Sequence, residues 1–218
     1  MDDKLSPEDV AALFTRSNGE YVFARWGRPI APVIFGVDDA TLATFKGAVE
    51  ALVVLARHST SETDPELGPN LMIFFARSWD ELLDVPNLGQ LVPDLGPLVA
   101  RLNGASANQY RFFRFDAQGA IKAAFVFLRL DDHLSAMPAQ DLALAQAAQV
   151  MCLWSDTAFA ARPVLADAGG VAVLGEDIAA LIRAAYTPVL PSHSADPSHA
   201  LRLWARLPYC ARPIYTRP

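Results

Sequence analysis

Apolar residues recur at intervals of three and four along residues 39–57, which is the spacing of one face of an amphipathic helix. This face consists of Leu42, Phe45, Val49, Leu52 and Ala56. Asp38 or Asp39 is suited to cap the helix at its start. A second segment, residues 138–159, begins with Pro138, contains no later Gly or Pro and is apolar almost all round. Its pattern predicts a helix buried in the middle of a domain.

Four shorter segments have the length and composition of β-strands: residues 30–35, 71–75, 110–115 and 121–130. Pro29 and Pro32 restrict the first segment to the edge or the start of a sheet, since proline has no N–H to donate. The second segment is apolar throughout, which predicts a strand buried on both faces. Residues 116–119 have the composition of a hairpin turn and join the last two segments.

Further helices are indicated by capping residues. Ser6 is suited to cap a short first helix, and Ser78 with Glu81 forms a capping-box pattern before another. Gly and Pro residues between positions 86 and 101 predict only loops and short helical turns there. Helical spacing returns in two later segments, residues 176–186 and 197–207.

The order of these elements is helix, strand, helix, strand, loops, two strands, central helix and two helices, which is typical of an α+β domain. We expect one twisted mixed sheet, packed on the long helix and the buried central helix, with a helical part at the C-terminal end. No low-complexity segment divides the 218 residues. We therefore predict a single domain, residues 1–207, followed by a Pro-rich tail, residues 208–218.

Composition narrows the classes of partner. Hydrophobic residues make up 52% of the chain and charged residues 19%, which is typical of a folded globule rather than a disordered chain. Lys and Arg number 18 against 24 Asp and Glu, and the basic residues are scattered along the sequence. This charge pattern disfavours nucleic acid and anionic membrane surfaces as partners. No apolar run approaches the ~18 residues of a membrane span, so no integral membrane segment is predicted.

The N-terminus and the cysteines bear on the cellular compartment. Residues 1–10 are acidic and have helix-capping character, unlike a secretory signal segment. We therefore expect a cytoplasmic protein, unless a signal segment has been removed from its N-terminus. Cys152 and Cys210 are too few for a disulfide framework, and Cys152 fits a small buried apolar position.

A stripe of polar residues interrupts the apolar surface of segment 138–159. Gln146, Gln149 and Asp156 follow at spacings of three and seven, so they could face a cleft, a water-filled gap or a second polar element. Asp132 and His133, at the end of the last predicted strand, could reach the same stripe. The ligand-cleft candidates are Gln146, Gln149, Asp132 and His133. The alternatives are a structural helix with one wetted edge and ordinary turn chemistry at the strand end.

Signals for a metal or a cofactor are weak. None of the four histidines lies at helical ligand spacing from another, and His193 and His199 are split between a loop and a helix start by Pro197. The glycines lack the spacing of a nucleotide-binding loop, and no Gly-x-Ser-x-Gly elbow is present. The sequence therefore predicts neither a cofactor nor a bound metal.

Four stretches together resemble a family of bacterial proteins called domain of unknown function 2927. They are RWGRPIAPVIFGV, GPN before LMIFF, CLWSDTAF and LGEDIAALIRAAYTPVLP. The resemblance extends from about residue 5 to residue 207. That family is similar in its core to zinc metalloproteases of the metzincin type, so the resemblance implies a metzincin-like fold. It also implies a place in the bacterial cell envelope or periplasm, if a signal peptide is removed.

The central helix of that family carries Cys-x-x-Glu-Glu-x-x-Gln, followed by Gly and then Asn-Asp. Cys152 and Asp156 match this pattern. The positions that differ are Ser155 for the first Glu, Phe159 for the Gln, Arg162 for the Gly and Leu165 for the Asn. A catalytic zinc helix needs imidazoles at i and i+4. Ser155 and Phe159 would occupy those two positions, and Phe has no lone pair for a metal.

These differences imply a catalytically inactive metalloprotease-like domain that acts as a binding or scaffolding module for an unknown protein or peptide. The alternative is a peptidase-like hydrolase that would assemble Asp156, Asp132 and a histidine from separate elements. Ser155 is a further catalytic candidate, although adjacent residues on a helix point ~100° apart, which makes a direct relay from Ser155 to Asp156 geometrically poor. A third possibility is a structural subunit of a larger envelope complex.

Overall fold

Strands of three sheets run through residues 5–210, the part of the chain that the computed structural model describes. In chain order they are β1 (Phe23–Ala24), β2 (Pro32–Phe35), β3 (Leu71–Ala76), β4 (Gln109–Phe115), β5 (Ile121–Arg129), β6 (Leu165–Asp167), β7 (Ala172–Leu174) and β8 (His193–Ser194). The main sheet has the order β2, β3, β5, β4, in which only β4 is antiparallel to its neighbour. The four predicted strands are confirmed, and β2 lies at an edge as its prolines require.

Helices precede, connect and follow these strands. They are α1 (Pro7–Ala12), α2 (Asp39–Leu55), α3 (Leu88–Leu91), α4 (Leu95–Gly104), α5 (Asp132–Ala136), α6 (Ala139–Met151), α7 (Glu176–Ala185), α8 (Ser198–Trp204) and α9 (Leu207–Cys210), with a 3-10 helix at Trp79–Asp84. The arrangement of helices on a mixed sheet confirms the α+β class. None of the helices in residues 5–210 is long and apolar enough to cross a bilayer.

The two faces of the main sheet carry separate hydrophobic clusters. Alternate residues of each strand point to opposite faces, so Ile73 belongs to one cluster and Phe74 to the other. The first face is covered by α2 and α6, and its cluster extends to α1, α7 and α8. The second face is covered by the 3-10 helix, α3 and α4. Both long helices therefore lie on one side of the sheet.

The predicted central helix is shorter than its pattern suggests, because α6 ends at Met151 and residues 152–159 are not helical. Cys152 is extended and bridges Arg25, and the Leu153 N–H donates to the Ala24 carbonyl at 2.8 Å. The last carbonyls of α6 accept hydrogen bonds from three side chains, two of them distant in sequence. These bonds are Trp26 Nε1 to Val150 O at 2.8 Å, Tyr186 Oη to Met151 O at 2.7 Å and Trp154 Nε1 to Ala148 O at 3.2 Å.

The prediction of loops and short helical turns for residues 86–101 is confirmed up to residue 94, a stretch that includes the four-residue helix α3, and is wrong from Leu95, where α4 begins. Gly96 and Pro97 lie in its first turn, where backbone N–H groups have no helical partner, so neither residue interrupts the helix. The capping box predicted at Ser78 does not form either. The Ser78 side chain makes no capping bond, and the Glu81 carboxylate accepts instead from the Arg77 backbone N–H at 3.0 Å.

Two further differences lie toward the C-terminus. Strands β6 and β7, which the sequence pattern did not predict, form a hairpin with Gly169 and Gly170 at its tip. The last predicted helix, residues 197–207, is divided into α8 and α9, and α9 includes the start of the predicted tail. The rest of that tail, residues 211–218, lies outside the described residues. Cys152 and Cys210 are both free thiols.

Candidate functional site

An open groove of about 500 Å³ lies on the second face of the main sheet, where β2 and β3 end. Phe35, Met72 and Phe74 form its floor, and Leu82, Val85, Leu88 and Leu91 form the wall built by the 3-10 helix and α3. The lining is almost entirely apolar. Ligand pockets in proteins are commonly concave and mostly apolar with a few polar groups, and the groove has this character.

The floor of the groove continues a ladder of aromatic rings across the sheet. One ring from each strand is in register: Phe35 of β2, Phe74 of β3, Phe127 of β5 and Tyr110 of β4. Successive ring centroids lie 4.8, 5.2 and 6.3 Å apart, and their planes are within 23° of parallel. Phe74 and Phe127 are buried, whereas Phe35 is 43% exposed. The ladder therefore ends in an exposed ring that is held in place by its neighbour.

The groove is open because the second face is only partly covered. The buried cluster of the described residues on this face draws on β3, β5, the 3-10 helix, α3 and α4, but on no residue of β2. Gly36 ends β2 with a φ of +82°, and a Cβ there would lie 2.5 Å from the Phe75 carbonyl oxygen. Only glycine lets the chain turn so closely against β3 at the end of the groove.

Carboxylates lie along one rim of the groove. Glu81 is a lining residue, and Asp84 lies on the same face of the 3-10 helix, because residues three apart eclipse in this helix type. Both are exposed, as are Asp80 beside them and Arg77 before them. Glu81 Oε2 accepts from the Arg77 N–H, which leaves Oε1 without a protein donor among residues 5–210. The rim is thus acidic over an apolar floor.

Gln146, one of the ligand-cleft candidates, lies in a second site on the first face of the sheet. Its side chain is buried and accepts from Arg111 Nη2 at 2.5 Å. Gln109 Oε1 accepts from Arg111 Nη2 at 2.9 Å and from Gln146 Nε2 at 3.0 Å. We call Gln109, Arg111 and Gln146 the Arg111 cluster. Gln149 is partly exposed on the same helix and takes no part in these bonds.

The other candidates are not brought to this cluster. Asp132 and His133 are exposed on α5 and make no hydrogen bond to Gln146 or Gln149. Their neighbour Asp131 makes the local contacts, since its carboxylate accepts from the Leu134 N–H and from Asn108 Nδ2. The strand end thus shows the helix-capping chemistry that was the alternative interpretation.

Asp156 and Ser155 face α1, because the chain leaves α6 before it reaches them. Asp156 accepts from the Ser17 N–H at 2.9 Å and from Ser17 Oγ at 2.5 Å, and these bonds lower the pKa of Asp156. Ser155 Oγ lies 3.3 Å from the Ala12 carbonyl oxygen. The stripe of Gln146, Gln149 and Asp156 is therefore not continuous, and Asp156 shares no hydrogen-bond partner with Asp132.

Phe159, Arg162 and Leu165, which differ from the motif of the resembling family, make packing, ion-pair and strand contacts here. Phe159 packs edge-on against Trp154, with ring centroids 5.2 Å apart. Arg162 Nη1 forms an ion pair with Asp177 Oδ2 at 2.5 Å. Leu165 begins β6. Within residues 5–210 no three side chains of His, Cys, Asp or Glu form a group that could hold a metal ion.

Sequence reasoning missed both the groove and Arg111. The alternation Gln109, Tyr110, Arg111, Phe112 carries a usable signal, since a strand period of two places Gln109 and Arg111 on one face. The groove has no comparable local signal, because its floor and wall come from segments far apart in sequence.

Comparison with family models, curated proteins and solved structures gave no match.

Proposed function

We propose that this protein is a catalytically inactive, metzincin-like domain that acts as a binding or scaffolding module and holds a protein partner in the groove. The observation that carries the proposal is the exposed Phe35 ring, stacked on Phe74 at the floor of an apolar groove. A large aromatic side chain held rigidly in a concave apolar surface is typical of an interaction site.

The partner that fits is an extended segment with apolar and basic side chains. β2 is the outer strand of the main sheet, and no strand in residues 5–210 pairs with its other side beyond the bridge from Ile30 to Thr60. An outer strand presents backbone N–H and C=O groups that can pair with an added strand. Apolar side chains of that strand would fill the groove, and basic ones would meet Glu81 and Asp84 at the rim.

We propose that the domain is catalytically inactive because of the side chains at the two positions where a metzincin-type helix would carry zinc ligands. Neither the Phe159 ring nor the Ser155 hydroxyl is a good zinc ligand. The two residues also do not lie on a helix, so they are not aimed at one ion. Both Asp156 oxygens accept from Ser17, which gives this carboxylate a structural role. The mixed sheet packed on two long helices supports a metzincin-like core.

Fluorescence anisotropy with labelled synthetic peptides tests the proposal. The probes are a peptide in which every second residue is Leu, Phe or Lys and the intervening residues are Thr, since side chains two apart share one face of a strand, a twin in which Glu replaces Lys, and a twin in which Ser replaces the apolar residues. We expect the Lys peptide to bind best, and Phe35→Ser to weaken it by about tenfold or more.

Phe115→Ser is the matched control, because Phe115 ends β4 and is 42% exposed, close to the 43% of Phe35. It should leave peptide binding unchanged. Absence of binding to all three peptides would contradict the proposal, as would equal weakening by both variants. Tighter binding of the Glu peptide would contradict the charge argument for the partner.

A further inference from the structure

Helices α8 and α9 are apolar on the side that faces solvent as well as on the side that faces the protein. Backbone hydrogen bonds continue the helical path from one to the other. A surface helix normally directs one apolar stripe inward and has a polar outer face. Ala200 and Leu203 fill the inward positions and are buried. The exposed apolar residues, spaced three and four apart and here called the outer stripe, are Leu201, Trp204, Ala205, Pro208 and Tyr209.

The outer stripe presents large side chains to solvent. Leu201 is 55% exposed, Trp204 41% and Tyr209 79%. The Trp204 indole is also fixed in place, because its Nε1 donates to the Leu5 carbonyl oxygen at 2.9 Å. Tryptophan and tyrosine are enriched at the boundary between lipid and water, since each joins an apolar ring to a polar atom. The composition of the stripe therefore suits this boundary.

Arginines flank the outer stripe. Arg202 is exposed on α8, and Arg206 follows it by four residues. Arg183 Nη1 donates to the Cys210 carbonyl oxygen at 2.7 Å, at the end of α9. Burial raises the pKa of the Cys210 thiol, whereas the charges of three nearby arginines oppose this rise. They are Arg183, Arg206 and Arg57, which come from three different parts of the chain.

This concentration of positive charge is local. Residues 197–218 contain four arginines and no Asp or Glu, although the chain as a whole has a net charge of −6. The acid that precedes them, Asp196, accepts from the Ser198 N–H at 2.9 Å at the start of α8. The overall charge disfavours an anionic partner, but exposed charges more than about 8 Å apart are largely screened at physiological ionic strength. Local charge therefore decides what this surface attracts.

We propose that the outer stripe and the arginines beside it form a surface that docks on a membrane containing anionic phospholipid. The arginines pair with the anionic headgroups, and the apolar side chains enter the boundary between headgroups and acyl chains. A nucleic acid also offers phosphates, but it has no apolar layer to receive an aliphatic side chain such as Leu201. The surface shares no residue with the groove, so it does not depend on the function proposed above.

Co-sedimentation of the full-length protein with sucrose-loaded vesicles tests the proposal. One set of vesicles is pure phosphatidylcholine, and the other contains about one third phosphatidylserine. We expect the protein to bind the anionic vesicles at least about tenfold more tightly than the neutral ones, and high salt to weaken this binding. Absence of binding to both sets would overturn the proposal, as would equal binding to both.

Two double variants connect binding to the surface. Leu201→Ser with Tyr209→Ser should weaken binding to the anionic vesicles about tenfold, because it removes the apolar contact. Arg202→Gln with Arg206→Gln should weaken it about thirtyfold and reduce its dependence on salt, because two positive charges are lost.

The matched controls change exposed residues elsewhere. Val171→Ser with Val173→Ser removes exposed apolar side chains from the β6–β7 hairpin, and Arg77→Gln with Lys46→Gln removes two exposed positive charges. Both controls should bind the anionic vesicles as the wild-type protein does. Weakening by a control equal to that of its matched variant would contradict the assignment to the outer stripe.

Two other occupants of the surface give different results. If a second copy of the chain covers the stripe, sedimentation velocity without lipid shows a dimer that Leu201→Ser with Tyr209→Ser converts to a monomer. If the arginines bind nucleic acid, a DNA duplex binds as tightly as the anionic vesicles, and the same variant leaves that binding unchanged. Either result would overturn the assignment to a membrane.

Discussion

Apolar side chains are usually buried and charged ones exposed, and the two faces of the main sheet depart from this rule in opposite ways. The first face, under α2 and α6, encloses a charged group, Arg111, whose hydrogen-bond partners among residues 5–210 are two neutral glutamines. The second face leaves a large aromatic ring exposed, that of Phe35. Buried polar groups and exposed apolar groups are the informative departures in a protein surface. The difference teaches that burial is decided separately on the two faces of one sheet: the helices over the first face enclose a charged group, whereas the cover over the second face stops short of an aromatic ring.

The first face should contribute more to stability than the second, and a matched pair of tryptophans tests this. Trp26 and Trp79 are both fully buried, and each indole N–H donates to a carbonyl oxygen at 2.8 Å. Trp26 packs in the cluster under the long helices and holds the end of α6, whereas Trp79 begins the 3-10 helix.

We expect Trp26→Ala to lower the free energy of unfolding by about 4–5 kcal/mol and Trp79→Ala by about 3 kcal/mol, because short helices can move to fill the cavity. Urea unfolding of both variants, followed by circular dichroism, measures the difference. A greater loss in Trp79→Ala would reverse the ranking of the two faces.

Acid should destabilise the first face through His199. This residue is buried against Phe23, and neither of its ring nitrogens has a hydrogen-bond partner among residues 5–210. The pKa of His199 is lowered to about 4, chiefly by burial; Arg202 and Arg25 contribute to the lowering, while Asp196 opposes it. The unfolded chain binds the proton near pH 6.5, so stability is fully present above that pH and decreases as the pH falls toward 4.

The expected loss is about 2–3 kcal/mol between pH 6.5 and 4, from ~1.4 kcal/mol per pKa unit. Carboxylates contribute to acid unfolding as well, so His199→Leu is the reference: the wild-type protein should lose that much more stability than the variant over this range. Parallel pH profiles of the two proteins would show that His199 does not titrate as a buried neutral group.

The cost of an arginine substitution separates a charge with a counter-ion from one without. Arg111→Met should change the free energy of unfolding by less than about 1 kcal/mol, because removal of the uncompensated charge is offset by loss of the hydrogen bonds to Gln109 and Gln146. Arg28→Met should lower stability by about 1–2 kcal/mol, because it leaves the buried Asp64 carboxylate without its cation. Differential scanning calorimetry of both variants gives the comparison. Equal destabilisation would mean that Arg111 has a compensating partner after all.

Much of the first face could be predicted from local sequence pattern. The three- and four-residue spacing of apolar side chains gave α2 nearly to the residue, and the apolar run at 71–75 gave β3. The end of α6 could not be predicted, because the groups that satisfy its last carbonyls, Trp26 and Tyr186, lie more than thirty positions away in sequence. When a helix ends without Gly or Pro, and donors distant in sequence bond its last carbonyl groups, the local sequence carries no signal for the end.

The candidate sites were predicted less well for a related reason. Polar residues on α6 were predicted to face a cleft, a water-filled gap or a second polar element, and Gln146 contacts a polar strand residue 35 positions away, Arg111. The pattern marked Gln146 as polar but could not supply its partner. The groove was missed because its floor comes from β2 and β3 and its wall from the 3-10 helix and α3, and no local pattern shows that these segments meet.

The smallest expected effect concerns the end of the aromatic ladder. Phe35→Ala and Phe115→Ala remove rings of nearly equal exposure, 43% and 42%, from opposite edge strands of the main sheet. Phe35 is stacked on Phe74 with ring centroids 4.8 Å apart, so its removal should cost about 0.5–1 kcal/mol more than removal of Phe115. Thermal unfolding of the two variants measures this difference. Equal costs would show that the ladder does not fix the Phe35 ring, and the groove would then lose the rigid floor on which its role in binding depends.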